Sequence, residues 1–152
     1  MTDYERNLKI RDVLNDEGTG PSVWGVRDCI TLVRAAIRAL SGQEPSFRLP
    51  DWADGLGEQE VIKRAPKEHG SVRKGWLHVI EAEPLLRKVK RGTTPSPGMA
   101  GLTTVEYHID ATATAKGPLL GVFGPDCALW VRTHKGLRRA WPVLDKWEVI
   151  ES

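Results

Sequence analysis

Apolar residues in the first half of the chain recur at helical spacing. Leu8, Ile10, Val13 and Leu14 form a stripe within Met1 to Asp16, which predicts a short first helix. A turn cluster follows, Gly18-Thr19-Gly20-Pro21-Ser22. The clearest segment comes next. Ile30, Val33, Ile37 and Leu40 share one helical face, Ala35 and Ala36 lie between them, and Arg27, Arg34 and Arg38 take the other side. Ser41-Gly42 ends this helix, glycine being the usual left-handed cap. Pro45 to Gly57 reads as a loop. Glu58 to Glu68 reads as a surface helix, interrupted near Pro66 and stopped by Gly70. Ser71 is an N-cap candidate for a further helix in which Trp76, Val79 and Ile80 share a face, limited by Pro84.

Arg91 to Gly98 is a Pro/Gly/Thr-rich break, and beyond it the period changes. Leu102 to Ile109, Leu119 to Phe123, Ala128 to Arg132 and Trp147 to Ile150 predict strands, with Leu137 to Trp141 a further candidate. Helices first and strands second predict one α+β domain over residues 1–152. Its helical part (1–91) packs on a small antiparallel sheet or half-barrel (98–152).

Composition narrows the picture. The chain has 152 residues, 40% hydrophobic and 28% charged, which suits one globular domain with a single core. Its net charge of +2 is too small to argue for nucleic acid. The densest basic run, Leu86 to Arg91, has no interleaved aromatics and reads as a solvated face. No apolar run approaches the roughly 20 residues of a membrane span, and the polar start lacks the pattern of a signal peptide. Synthesis in a cytoplasm is the expectation. The two cysteines and four histidines are scattered without a C-x-x-C or H-x-x-x-H pair, so neither a disulfide framework nor a metal centre is expected. Gly117 to Gly124 lacks the Gly-Lys-Ser/Thr ending of a phosphate loop, and no cofactor is expected. Cys127, after Gly124-Pro125-Asp126, reads as a small hydrophobe opening a strand. Six tryptophans are many for this length; they are expected to fill the core, or in part to anchor an interface.

Cys29 carries the candidate chemistry. A cysteine opening a helix meets free N–H groups and the positive end of the helix dipole, both of which favour thiolate. Arg27 would add to this and Asp28 would oppose it. A packing role on an apolar helix face is the plain alternative.

Trp24-Gly25-Val26-Arg27-Asp28-Cys29-Ile30-Thr31-Leu32-Val33 resembles the nucleophile motif of the NlpC-type cysteine peptidases. That family has a papain-like fold and cleaves peptide stems of bacterial cell wall. Pro97-Gly98-Met99 resembles the family's Pro-Gly-Asp turn, with Met in place of Asp. Leu119-Leu120-Gly121-Val122-Phe123-Gly124 resembles the strand that carries its catalytic histidine, and the histidine position holds Leu119. The whole is most similar to a reduced NlpC-like family encoded in bacteriophage and prophage tail clusters, whose chains end in a Gly-Leu turn and an aromatic strand, here Gly136-Leu137 and Trp147 to Ile150. The resemblance implies a tail-tip or assembly protein in the virion, made in the host cytoplasm, with other tail proteins as partners. It implies a degenerate catalytic site, or, as the alternative, an active hydrolase acting on peptidoglycan during entry.

An active site needs a base for Cys29. His108 is the candidate, with Asp110 or Glu106 as orienter on the same strand face by period-two alternation; an exposed histidine on an edge strand is the plain alternative. His78 lies in a predicted helix ahead of the Pro97-Gly98 turn, His134 in a predicted turn, and His69 at a helix end.

Overall fold

The computed structural model describes residues 1–18 and 20–151; Thr19, in the expected turn after the first helix, lies outside them. Four helices are followed by a six-stranded antiparallel sheet that partly closes into a ring. The helices are α1 (Asp3–Glu17), α2 (Cys29–Ser41), α3 (Glu58–His69) and α4 (Val72–Glu81). The strands are β1 (Leu86–Lys88), β2 (Ala100–Ile109), β3 (Ala113–Lys116), β4 (Leu120–Phe123), β5 (Leu129–Thr133) and β6 (Gly136–Val149). Their order is β1-β6-β5-β4-β2-β3, and β6 also pairs with β2, so β6, β5, β4 and β2 complete a circuit. A single 3-10 turn over Asp51–Ala53 interrupts the long loop between α2 and α3.

Helix boundaries follow the caps. Ser71 accepts a hydrogen bond from the Lys74 amide and starts α4. Gly42 adopts φ 69° and its N–H donates to the Arg38 carbonyl, closing α2. Pro66 lies inside α3 without ending it, and Gly70 in left-handed conformation does.

The predicted face of α2 is the middle of the core. Ile30, Leu32, Val33, Ile37 and Leu40 pack with Ile10 of α1, Leu102 of β2, Leu120 and Val122 of β4, and Trp147 of β6. Each such large side chain contributes about 1.5–3 kcal/mol on burial. Gly98 is required where the chain enters the sheet. Its φ is 89°, and a Cβ there would stand 2.3 Å from Leu40 Cδ1. A smaller cluster, Met99, Tyr107, Phe123, Leu129, Val131 and Ala140, fills the ring.

Several expectations change. The sheet begins before the Pro/Gly break: β1 falls in the basic run and pairs with β6 (Leu86 opposite Val149, Arg87 opposite Glu148). Leu86 is buried while Arg87 and Lys88 are exposed, and Lys88 and Arg91 of the run are engaged by a buried carboxylate, so only part of the run is a free charged face. Arg73, Lys88 and Arg91 surround the buried Asp145 carboxylate, the last two at 3.5 and 3.3 Å. Burial pushes the Asp145 carboxyl up, and these three cations outweigh it, leaving it below its ordinary value. The two expected C-terminal strands are one, because Pro142 sits where β2 and β6 lose regular register and no ladder N–H is needed. Edge strand β3 has no large apolar residue to signal it. Cys127 is exposed in the turn before β5, with φ 61°, and is not a core hydrophobe. Trp147 is the one tryptophan in the core; Trp141 is 43% exposed, and the other four are half-buried.

Candidate functional site

The start of α2 is built by a tight local network. Val23 and Arg27 pair as a β-bridge across Trp24-Gly25-Val26, with Gly25 at φ 80°. Asp28 then caps the helix. Its Oδ1 accepts from the Thr31 amide at 2.9 Å, while the Asp28 amide donates to Thr31 Oγ1 at 2.9 Å. Its Oδ2 accepts from the Gly25 amide at 2.8 Å. Both carboxylate oxygens are therefore used by the backbone, and Asp28 holds the turn that presents Cys29.

Cys29 is the first helical residue and is 8% exposed. It lies in the wall of a cleft of about 190 Å³, between α2, the α2–α3 loop, α3, α4 and the β2–β4 region. The walls are largely aromatic and aliphatic: Trp24, Trp52, Trp76, Val61, Tyr107 and Leu119, with Glu58 and Lys116 the only charged side chains among the lining residues.

The expected thiolate does not hold in this setting. Burial pushes the Cys29 thiol up, and the Asp28 and Glu58 carboxylates push it further. Backbone hydrogen bonds at the helix start act in the opposite direction and are outweighed. In a dry apolar wall, desolvation of the anion exceeds what one helix terminus supplies.

Tyr107, rather than His108, is the β2 residue on this side. It lines the cleft beside Cys29, and its phenol is pushed up to about 12 by burial and by Cys29. Successive strand residues point to opposite faces. His108 accordingly stands exposed on the other face, its ring stacked at 5.8 Å on Trp141 of β6. Asp110, at φ 52°, pairs with Arg138 at 3.4 Å, and Glu106 pairs with Lys116 at 3.9 Å. The proposed base and its two orienters thus form no constellation with Cys29. The alternation was usable in advance: Tyr107 and His108 cannot both face Cys29.

Leu119 is held just before β4 by reciprocal bonds with Thr103. The Leu119 amide donates to Thr103 Oγ1 at 2.9 Å and the Thr103 amide to the Leu119 carbonyl at 3.0 Å. Its side chain enters the same cleft as Cys29. His69 lies 5.6 Å from the Trp52 ring and 4.8 Å from the His78 ring, tilted to both, and His134 occupies the β5–β6 turn. No histidine is among the cleft-lining residues.

The tryptophans of the cleft were missed as a group, because they come from three separate segments. Each indole N–H is engaged inside the protein. Trp24 donates to the Leu56 carbonyl (3.1 Å), Trp52 to His69 Nε2 (3.0 Å) and Trp76 to the Pro118 carbonyl (3.1 Å). The rings offer carbon and π surface to the cleft.

Among the described residues, no group of three or more His, Cys, Asp or Glu converges to hold a metal ion. No helix of the described residues is long and apolar enough to cross a membrane. Comparison with protein-family models, with curated proteins and with solved structures finds no match for this chain.

Proposed function

We propose that this chain is a reduced NlpC-like, papain-like domain of a bacteriophage or prophage tail, acting as a structural and assembly part near the tail tip and not as a peptidase. The observation that carries the reading is that Leu119 and Cys29 line the same cleft. A leucine and a protonated thiol line the cleft, and no imidazole does. General acid–base assistance is worth about a hundred- to ten-thousand-fold, and its loss leaves a fold without efficient hydrolysis.

The ordered motifs have physical supports that agree with this reading. Asp28 makes the turn ahead of Cys29. Gly98 fits where a side chain would strike Leu40, and Gly121 fits where a Cβ would stand 2.3 Å from the Trp130 carbonyl oxygen. The tail location and the tail-protein partners rest on the resemblance alone.

Two measurements test it. Tail particles assembled without this protein are expected to be incomplete or non-infective; complete, infective tails would overturn the assembly role. Incubation with peptidoglycan is expected to release nothing with either the natural chain or Cys29→Ala. Release by the first and not the second would restore the alternative, a cysteine hydrolase of cell-wall peptides.

A further inference from the structure

The aromatic cleft has a chemistry that a merely structural domain does not require. Three half-buried tryptophans from three segments, together with Tyr107, converge on one space of about 190 Å³. That is well above the roughly 10–15 Å³ needed for one water and below the several hundred typical of drug-sized ligands. With all three indole N–H groups engaged elsewhere, the tryptophans have no donor left for an anion or a carbonyl ligand. Their rings attract cations through the π quadrupole, as Trp52 already does for the Arg64 guanidinium 5.7 Å from its centroid.

One carboxylate shares this wall. Glu58 is the first residue of α3, where the helix dipole favours negative charge. It is half-buried, lines the cleft, and takes part in no ion pair among the described residues. The other charged lining residue, Lys116, is 84% exposed and pairs outward with Glu106. The charge left for a ligand to complement is therefore negative.

These features select among ligands. A neutral apolar group would strip water from Glu58 without compensation. An anion would meet the Glu58 carboxylate and none of the three indole N–H groups, with Lys116 already paired to Glu106. A primary ammonium would have to give up most of its hydration, because Glu58 is the one charged acceptor in the wall. An alkylated ammonium carries its charge under a carbon surface, fits aromatic faces, and needs a carboxylate nearby and no further hydrogen bonds.

We infer that this cleft is a binding site for a small molecule bearing an alkylated ammonium group, with Trp24, Trp52, Trp76 and Tyr107 as its aromatic wall and Glu58 as its counter-charge. The site is independent of the tail reading and of any chemistry at Cys29.

Choline and its neutral carbon isostere, 3,3-dimethylbutan-1-ol, separate charge from shape. Calorimetric titration of the intact protein is expected to show choline binding at least about tenfold tighter than the isostere. The Glu58→Gln variant, checked for an unchanged amide spectrum, is expected to bring the two ligands within about twofold. The indole N–H resonances of Trp24, Trp52 and Trp76 should shift on choline addition while that of Trp147 does not. Equal affinity for the isostere overturns the proposal, as does a preference that survives Glu58→Gln. So does the absence of choline binding at tens of millimolar, or shifts confined to the other tryptophans.

Discussion

The two cysteines of this chain occupy opposite kinds of position, and neither behaves as its neighbours in sequence suggest. Cys29 opens a helix, which by itself favours a reactive thiolate, yet it is buried in an apolar wall and held protonated. Cys127 follows a plain turn signal and reads as a small hydrophobe, yet it is exposed with a left-handed backbone. Local backbone context sets the direction of a small electrostatic effect; access to water sets the larger one. A helix terminus contributes about 0.3–1 kcal/mol near a surface, whereas removing a charge from water without a partner costs several.

The largest expected effect is in thiol labelling. At neutral pH an alkylating reagent should modify Cys127 at least about a hundredfold faster than Cys29, since each unit of upward shift removes a factor of ten in thiolate. Denaturant should bring the rates together. Comparable rates in the folded protein would mean that Cys29 is wet and ionised, and would erase the contrast.

Alkaline stability sharpens the same point. In the folded chain the Cys29 thiol titrates above its ordinary value of about 9, and Tyr107 at about 12 instead of 10. Across that window the unfolded chain loses these protons first and so binds fewer of them. Stability is therefore complete below pH 9 and falls as pH rises, by about 1.4 kcal/mol per unit for each group while only its unfolded form is ionised. Denaturant melts of the natural chain and Cys29→Ala from pH 8 to 11 should diverge, the variant staying flat until Tyr107 contributes. Parallel curves would remove the buried-thiol description.

Asp28 links Cys29 to its turn. Asp28→Ala removes the side-chain acceptors of the Thr31 and Gly25 amides and should cost about 1–2 kcal/mol in a denaturant melt, with Asp28→Asn costing less. The smallest effect is expected at Cys127. Replacing it by glycine relieves a positive φ, partly offset by a freer unfolded chain, and should raise stability by about 0.5 kcal/mol. A loss of stability there would show that the Cys127 side chain makes contacts that outweigh its strain.

Much of the helical half was legible. The i, i+3, i+4 pattern of Ile30 to Leu40 needs a single buried face, and Ser71, Gly42 and Gly70 mark ends through their own backbone chemistry. The strands were legible where they carry bulky residues. β1 was hidden in a charge run, and β3 in small and polar residues at a sheet edge. The candidate site was legible only at Cys29 and Leu119. Of the two readings of His108, the exposed strand histidine agrees with its parity to Tyr107 on β2, and the aromatic wall was invisible because no sequence period joins Trp24, Trp52 and Trp76.

By itself the sequence determined the order of helices before strands, the core face of α2, its Gly42 cap, and the leucine standing at position 119. These depend on chemistry within a few residues. Tertiary structure alone decided that the ring of β2, β4, β5 and β6 closes, that Tyr107 and not His108 meets Cys29, and that burial overrides the helix start at that thiol. Each of these depends on which distant segments exclude water from a group, and desolvation is set by packing across the whole chain.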